Sequence, residues 1–215
     1  GLLSSDEWYS NITYYVSSGI TLDEEATLKI EPGTVIKFND CGLLATDGTL
    51  VAKGNPYDYI IFTSVNDDSV GETITPTSTG NPNDEDWTSI SIDFDDTIEF
   101  CKIGYAYNVN VWSEDSGELT FKNNILYDCT EGFYLIIAGE FGAEEAEVNI
   151  FNNLINCFNS TQGIRVELTG TYPHDVKIYN NTITNNSTGT GVCGDSESTL
   201  DVKIFNNIIK GFSYG

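Results

Sequence analysis

Basic side chains are scarce in this chain. Eight lysines, the single arginine Arg165 and the single histidine His174 stand against 33 Asp plus Glu, for a formal net charge of −24 over 215 residues. Nucleic acids and anionic membrane surfaces are gripped through a Lys/Arg footprint, so this deficit sets both aside as partners. No run approaches the ~20 apolar residues of a membrane span, which sets aside membrane insertion. No charged, apolar, small-residue leader opens the chain, and GLLSSDEW reads as a mature or trimmed start. The five cysteines (Cys41, Cys101, Cys129, Cys157, Cys193) lack CxxC or Cys/His spacing, and their odd number leaves at least one outside any internal disulfide. Gly-x-Ser-x-Gly elbows, phosphate loops and zinc motifs are missing too. So is any capped helical period.

What is present is repetition. LTFKNNIL, VNIFNNLI, VKIYNNTI and VKIFNNII carry Asn pairs whose first members are Asn123, Asn152, Asn180 and Asn206, at intervals of 29, 28 and 26 residues. Each pair follows a short alternating strand and is followed at once by another. A glycine then introduces a third segment, as in GFYLII, GIRVEL and GVCGDS. Three short period-two strands per 20 to 30 residues describe a coil whose turns stack in parallel. In that register Val148, Val176 and Val202 stack inward, as do Ile155, Ile183 and Ile209, with Cys157 inward as well. Cys129 lies one residue further from its pair, out of step with Cys157. The first half keeps the rhythm with different punctuation, and Cys101-Lys102 fall near the later Asn-pair position. Residues 65–86 are polar, Gly/Pro/Thr-rich and acidic, and read as a long loop ejected from one coil.

The ordered series TLKIEPGTVIKF, GTLVAKGNPYDYIIFTS, DDSVG, DWTSISI and the later NNxI units resembles the secreted right-handed parallel β-helix proteins of the pectin-lyase-like superfamily. Within it, the likeness is to non-catalytic bacterial and archaeal surface proteins, and it covers roughly residues 17–212. It implies an all-β, single-domain solenoid of about seven coils. Residues 1–16 would form an N-terminal cap or docking strand, 17–64 the first coils and 87–215 the Asn-ladder coils. In such a fold a sharp corner needs a left-handed residue, which Asn tolerates, and stacked amides hydrogen-bond up the column. Asn123, Asn152, Asn180 and Asn206 are therefore expected as the ladder.

The family implies lyase or hydrolase chemistry for some members, yet the residues here argue for none. A lyase needs a basic group, and Arg165 stands alone with Glu167 two residues on. Asp93, Asp95 and Asp96 in IDFDDT are the densest carboxylate group, with Asp93 and Asp95 expected on the same outer face of a strand, without the family's Gly-His-Gly element. His174 follows a proline and reads as a solvated turn residue. Asp67, Asp68, Asp84 and Asp86 flank the long loop and form a weak calcium candidate that matches no known loop pattern. Threonines of TITPTSTG sit beside a proline in that loop, which does not suit an ice-binding array.

Sequons at Asn11, Asn159, Asn180, Asn185 and Asn186 suggest a secreted glycoprotein. An inward ladder position argues against sugar on Asn180, leaving Asn11, Asn159, Asn185 and Asn186. The expectation is an extracellular or cell-surface structural module that self-associates end to end, with no cofactor beyond possible Ca²⁺. The alternative is a carbohydrate-binding or carbohydrate-active protein, whose aromatic candidates are Tyr105, Tyr107, Trp112, Tyr127 and Tyr134.

Overall fold

The computed structural model describes residues 1–113, 117–138, 146–157, 162–169, 174–185, 188–196 and 200–213. Each coil contributes three strands. The first coil is β1 (Leu2–Leu3), β2 (Asp6–Trp8) and β3 (Thr13–Val16); the second is β4 (Ile20–Leu22), β5 (Thr27–Ile30) and β6 (Val35–Phe38). The third is β7 (Leu43–Leu44), β8 (Thr49–Lys53) and β9 (Ile60–Ser64), and the fourth is β10 (Trp87–Ile92), β11 (Thr97–Glu99) and β12 (Cys101–Gly104). Then follow β13 (Ala106–Ser113), β14 (Glu118–Lys122) and β15 (Ile125–Cys129), then β16 (Phe133–Ala138), β17 (Ala146–Phe151) and β18 (Leu154–Cys157). The last two coils are β19 (Gln162–Thr169), β20 (His174–Tyr179) and β21 (Thr182–Asn185), and β22 (Thr190–Ser196), β23 (Leu200–Phe205) and β24 (Ile208–Lys210).

Like strands stack in parallel into three eight-stranded sheets, sheet A from β1 to β22, sheet B from β2 to β23 and sheet C from β3 to β24. No helix occurs among the described residues. Eight strands per sheet make seven turns from first to last, a column about 34 Å long at ~4.8 Å per step. The chain is thus an all-β parallel solenoid. Residues 1–16 form the first coil, in which β1, β2 and β3 each take the edge of a different sheet.

Alternation builds the core. In β5 Leu28 and Ile30 are buried while Thr27 and Lys29 are exposed. Parallel register then puts like on like: Val148 on Val176 on Val202, and Ile155 on Ile183 on Ile209. Gly132, Gly163 and Gly191 admit the isoleucine column, since a Cβ at Gly163 would lie 2.4 Å from Ile183 Cγ2 and one at Gly191 2.2 Å from Ile209 Cγ2. The out-of-step Cys129 is brought opposite Cys157 by a bulge at Asp128, whose φ is 49°. Both thiols are buried, and burial pushes the Cys129 thiol up to about 12.

The Asn pairs divide two tasks that the sequence assigned to one residue. Asn123, Asn152, Asn180 and Asn206 take the left-handed corner, with φ between 54° and 60°. Asn152, Asn180 and Asn206 consequently face solvent. The ladder is made by the second members, Asn124, Asn153, Asn181 and Asn207. Asn153 Oδ1 accepts the Asn124 backbone N–H at 2.9 Å, and its Nδ2 donates to Phe121 O at 2.9 Å. Asn181 repeats this with Asn153 N and Ile150 O, and Asn207 with Asn181 N and Ile178 O. A corner residue in the left-handed region points its side chain outward, so only the following residue can reach the backbone of the preceding coil. One coil earlier Phe100 holds the corner at φ 52° and Cys101 the ladder position, one residue ahead of the expected Cys101-Lys102.

Candidate binding groove

The 65–86 loop lies between β9 and β10 and is fastened by its own carboxylates. Asp67, which is buried, accepts from Thr63 Oγ1 at 2.8 Å and from the backbone and hydroxyl of Ser69. Asp86 accepts from Ser64 and Asn66, and Asp68 from Ser78. Lys37, fully buried beneath the loop, donates to Asp67 O at 2.7 Å, and burial lowers its pKa. Three of the four weak calcium candidates are therefore engaged by hydroxyl and amide donors, and Asp84 sits half-buried in the same loop. Among the described residues no three His, Cys, Asp or Glu groups gather as a metal site.

The hydrolase candidates fare similarly. Asp93, Asp95 and Asp96 occupy the turn between β10 and β11 and not a strand face. Asp96 is buried, one oxygen accepting Leu50 N–H at 2.5 Å and the other Asp93 N–H at 2.9 Å. Burial pushes its carboxyl up to about 7 against those two donors. His174 opens β20, pairing with Ala146 and Leu200, and is not in a turn. Arg165 is committed to an ion pair with Glu167 and lies over the Tyr134 ring, 4.8 Å from its centroid.

The five aromatic candidates split into two groups. Tyr105 and Tyr127 pack edge to face at 5.4 Å, with Tyr127 seated on Gly104, where a Cβ would lie 2.2 Å from the ring. Burial raises both phenols. Tyr107, Trp112 and Tyr134 instead line one groove of about 580 Å³ on the outer face of sheet A, over β10, β13 and β16. Tyr107 is 41% exposed and Trp112 57%, and among the described residues none of the three stacks on another ring.

Alternation sets this face. Val109 and Val111 point into the core, so Asn110 and Trp112 point out. Register places Ser91 beside Asn110 and Asn110 beside Tyr134, with Ser89 beside Asn108. The floor is a patch of hydroxyls and amides tied laterally, Asn110 Nδ2 to Asn108 Oδ1 at 3.3 Å and Asn108 Nδ2 to Glu131 Oε2 at 3.4 Å. Tyr134 donates to Glu167 Oε2 at 2.5 Å, fixing its ring. Glu131 beside Tyr107 raises the Tyr107 phenol. Sequence reasoning missed Ser89, Ser91, Asn108 and Asn110. Their signal was available in part: SIS in β10 and NVNVW in β13 place Ser89, Ser91 and Asn110 at outward positions of alternating strands.

Sheet B carries aromatics of a different kind. Phe151, Tyr179 and Phe205 stack face to face at 4.8 and 5.0 Å, with interplanar angles of 7° and 3°. Both faces of Tyr179 are covered by its neighbours, and Lys122 lies over Phe151 at 5.9 Å. Such a stack stabilises neighbouring coils and ends at Phe205, which is 44% exposed in the last coil.

Comparison with protein-family models, curated proteins and solved structures finds no match for this chain.

Proposed function

We propose that this protein is an extracellular or cell-surface β-solenoid, of the pectin-lyase-like kind, that serves as an adhesive module binding carbohydrate through the sheet A groove. The observation that carries this reading is the pairing of Tyr107, Trp112 and Tyr134, unstacked on other rings, with a floor of Ser89, Ser91, Asn108 and Asn110. Sugars present apolar C–H faces that rest on aromatic rings and hydroxyls that both donate and accept, and this groove offers both partners. The module carries no chemistry of its own in this reading, since its single arginine is bound by Glu167 and Asp96 holds two backbone N–H groups. The sequons are consistent with secretion.

Binding of the full chain to a panel of insoluble polysaccharides and a glycan array tests the reading. Retention on at least one glycan, lost in Trp112→Ala and Tyr107→Ala at unchanged thermal stability, is the expected result. Release of reducing ends or unsaturated sugars would overturn the non-enzymatic part. A second reading, assembly through the ends, draws on Ile204, Phe205 and Ile208, exposed in the last coil at 51%, 44% and 63%. That surface accepts a further coil, whether from the same polypeptide or from another copy.

A further inference from the structure

The charges around the groove restrict which carbohydrate it takes. Glu85 lines it, Glu131 touches Asn108 on its floor, and Glu167 holds Tyr134 on its wall. The Arg165 guanidinium beside these groups is engaged twice, by the Glu167 carboxylate and by the Tyr134 ring. A uronate carboxylate entering here would meet Glu85 on the lining, with Glu131 and Glu167 directly behind Asn108 and Tyr134 and the one guanidinium already neutralised, in a molecule carrying −24. Desolvating an unpaired carboxylate in such a site is strongly unfavourable. The amide and hydroxyl floor imposes no such cost on sugar hydroxyls, because each Asn and Ser there can donate and accept. The groove is also longer along β13 than across the coils: Tyr107 to Trp112 spans about 16 Å, while three strands span about 10 Å.

We infer that the sheet A groove selects uncharged, hydroxyl-rich glycan chains, lying along β13, and excludes uronic-acid polymers of the same length. This rests on the carbohydrate-binding reading above and adds the class of ligand. Arg165 and Glu167 set the selectivity: the carboxylate cancels the guanidinium that would otherwise accept an acidic sugar.

Trp8 and Trp87 are buried and Trp112 is exposed, so ligand-induced change in tryptophan fluorescence of the full chain reports on the groove. The probes are neutral cello-, xylo- and manno-oligosaccharides, set beside oligogalacturonate and oligomannuronate of equal length, each titrated at low and high salt. The expected result is saturable binding of at least one neutral oligomer, weakened about tenfold or more in Trp112→Ala, and uronate affinity at least about tenfold lower. Glu167→Gln frees Arg165 and brings measurable uronate binding that fades at high salt. Uronate binding equal to or tighter than that of every neutral oligomer overturns the selectivity and leaves the carbohydrate reading standing. Failure of every oligomer, neutral and acidic, overturns both.

Discussion

Adjacent asparagines in this chain differ in energy as much as in position. Asn153 is 3% exposed and satisfies Asn124 N and Phe121 O, so Asn153→Ala strands two buried backbone groups and costs about 2–4 kcal/mol. Asn152 contributes only its tolerance of φ 56°, and Asn152→Gly is expected to stay within about 0.5 kcal/mol of the parent. Urea unfolding midpoints of the two variants check the assignment; equal losses would refute it. The same division reverses the expected sugar pattern. Asn180 faces solvent at its corner and Asn185 is buried, the opposite of what an inward Asn180 implied, while Asn11 lies in an exposed turn. Asn159 and Asn186 lie outside the described residues. Expressed through a glycosylating secretory route, the chain should carry sugar at Asn11 and Asn180 and none at Asn185, read as site-resolved mass shifts after enzymatic deglycosylation.

Among the elements, the turn between β10 and β11 is where acidity enters stability. Asp96 is pushed up to about 7 in the folded chain and titrates near 4 when unfolded. Between those values the folded state holds a proton that the unfolded state has released. Stability from this group is therefore full below about pH 4 and is lost as pH rises toward about 7, with a ceiling of about 4 kcal/mol. Asp96→Asn should start lower, because one backbone N–H loses its acceptor, and should flatten the slope of unfolding free energy between about pH 4 and about pH 7. An unchanged slope would move the titration elsewhere. The two aromatic faces make a paired test of sheets A and B. Tyr179→Ala removes the middle ring of a three-ring stack and should cost about 1–3 kcal/mol without altering glycan retention. Trp112→Ala should do the reverse.

As a whole, the molecule works against its own charge. A net −24 over a slender column repels itself, and the described ion pairs are largely exposed ones such as Lys29–Glu7 and Lys203–Asp175, each worth little. Raising salt from low to about physiological strength should raise the unfolding midpoint, since screening relieves more repulsion than it weakens attraction. A falling midpoint would mean that the lysine pairs outweigh the surplus. Sedimentation against concentration, with Ile208→Lys as the variant, tests the stacking of copies: a parent that stays monomeric at every concentration removes it.

The period-two alternation, the Asn-pair interval and the polar break at 65–86 were enough to read a parallel solenoid from residues alone, because each coil repeats one local grammar and parallel stacking puts like on like. Val148 over Val176 and Ile155 over Ile183 needed no three-dimensional information beyond that repeat. Three things required the tertiary structure. Which Asn of a pair forms the ladder depends on which one turns the corner, and the two are identical in composition. Cys129 reaches Cys157 only through a bulge that local pattern does not announce. The groove gathers Ser89, Asn110 and Tyr134 from three successive coils, with two further strands and their connections between each and the next. Their meeting is decided by strand register, which sums every intervening turn length and so is not contained in any one stretch of the chain.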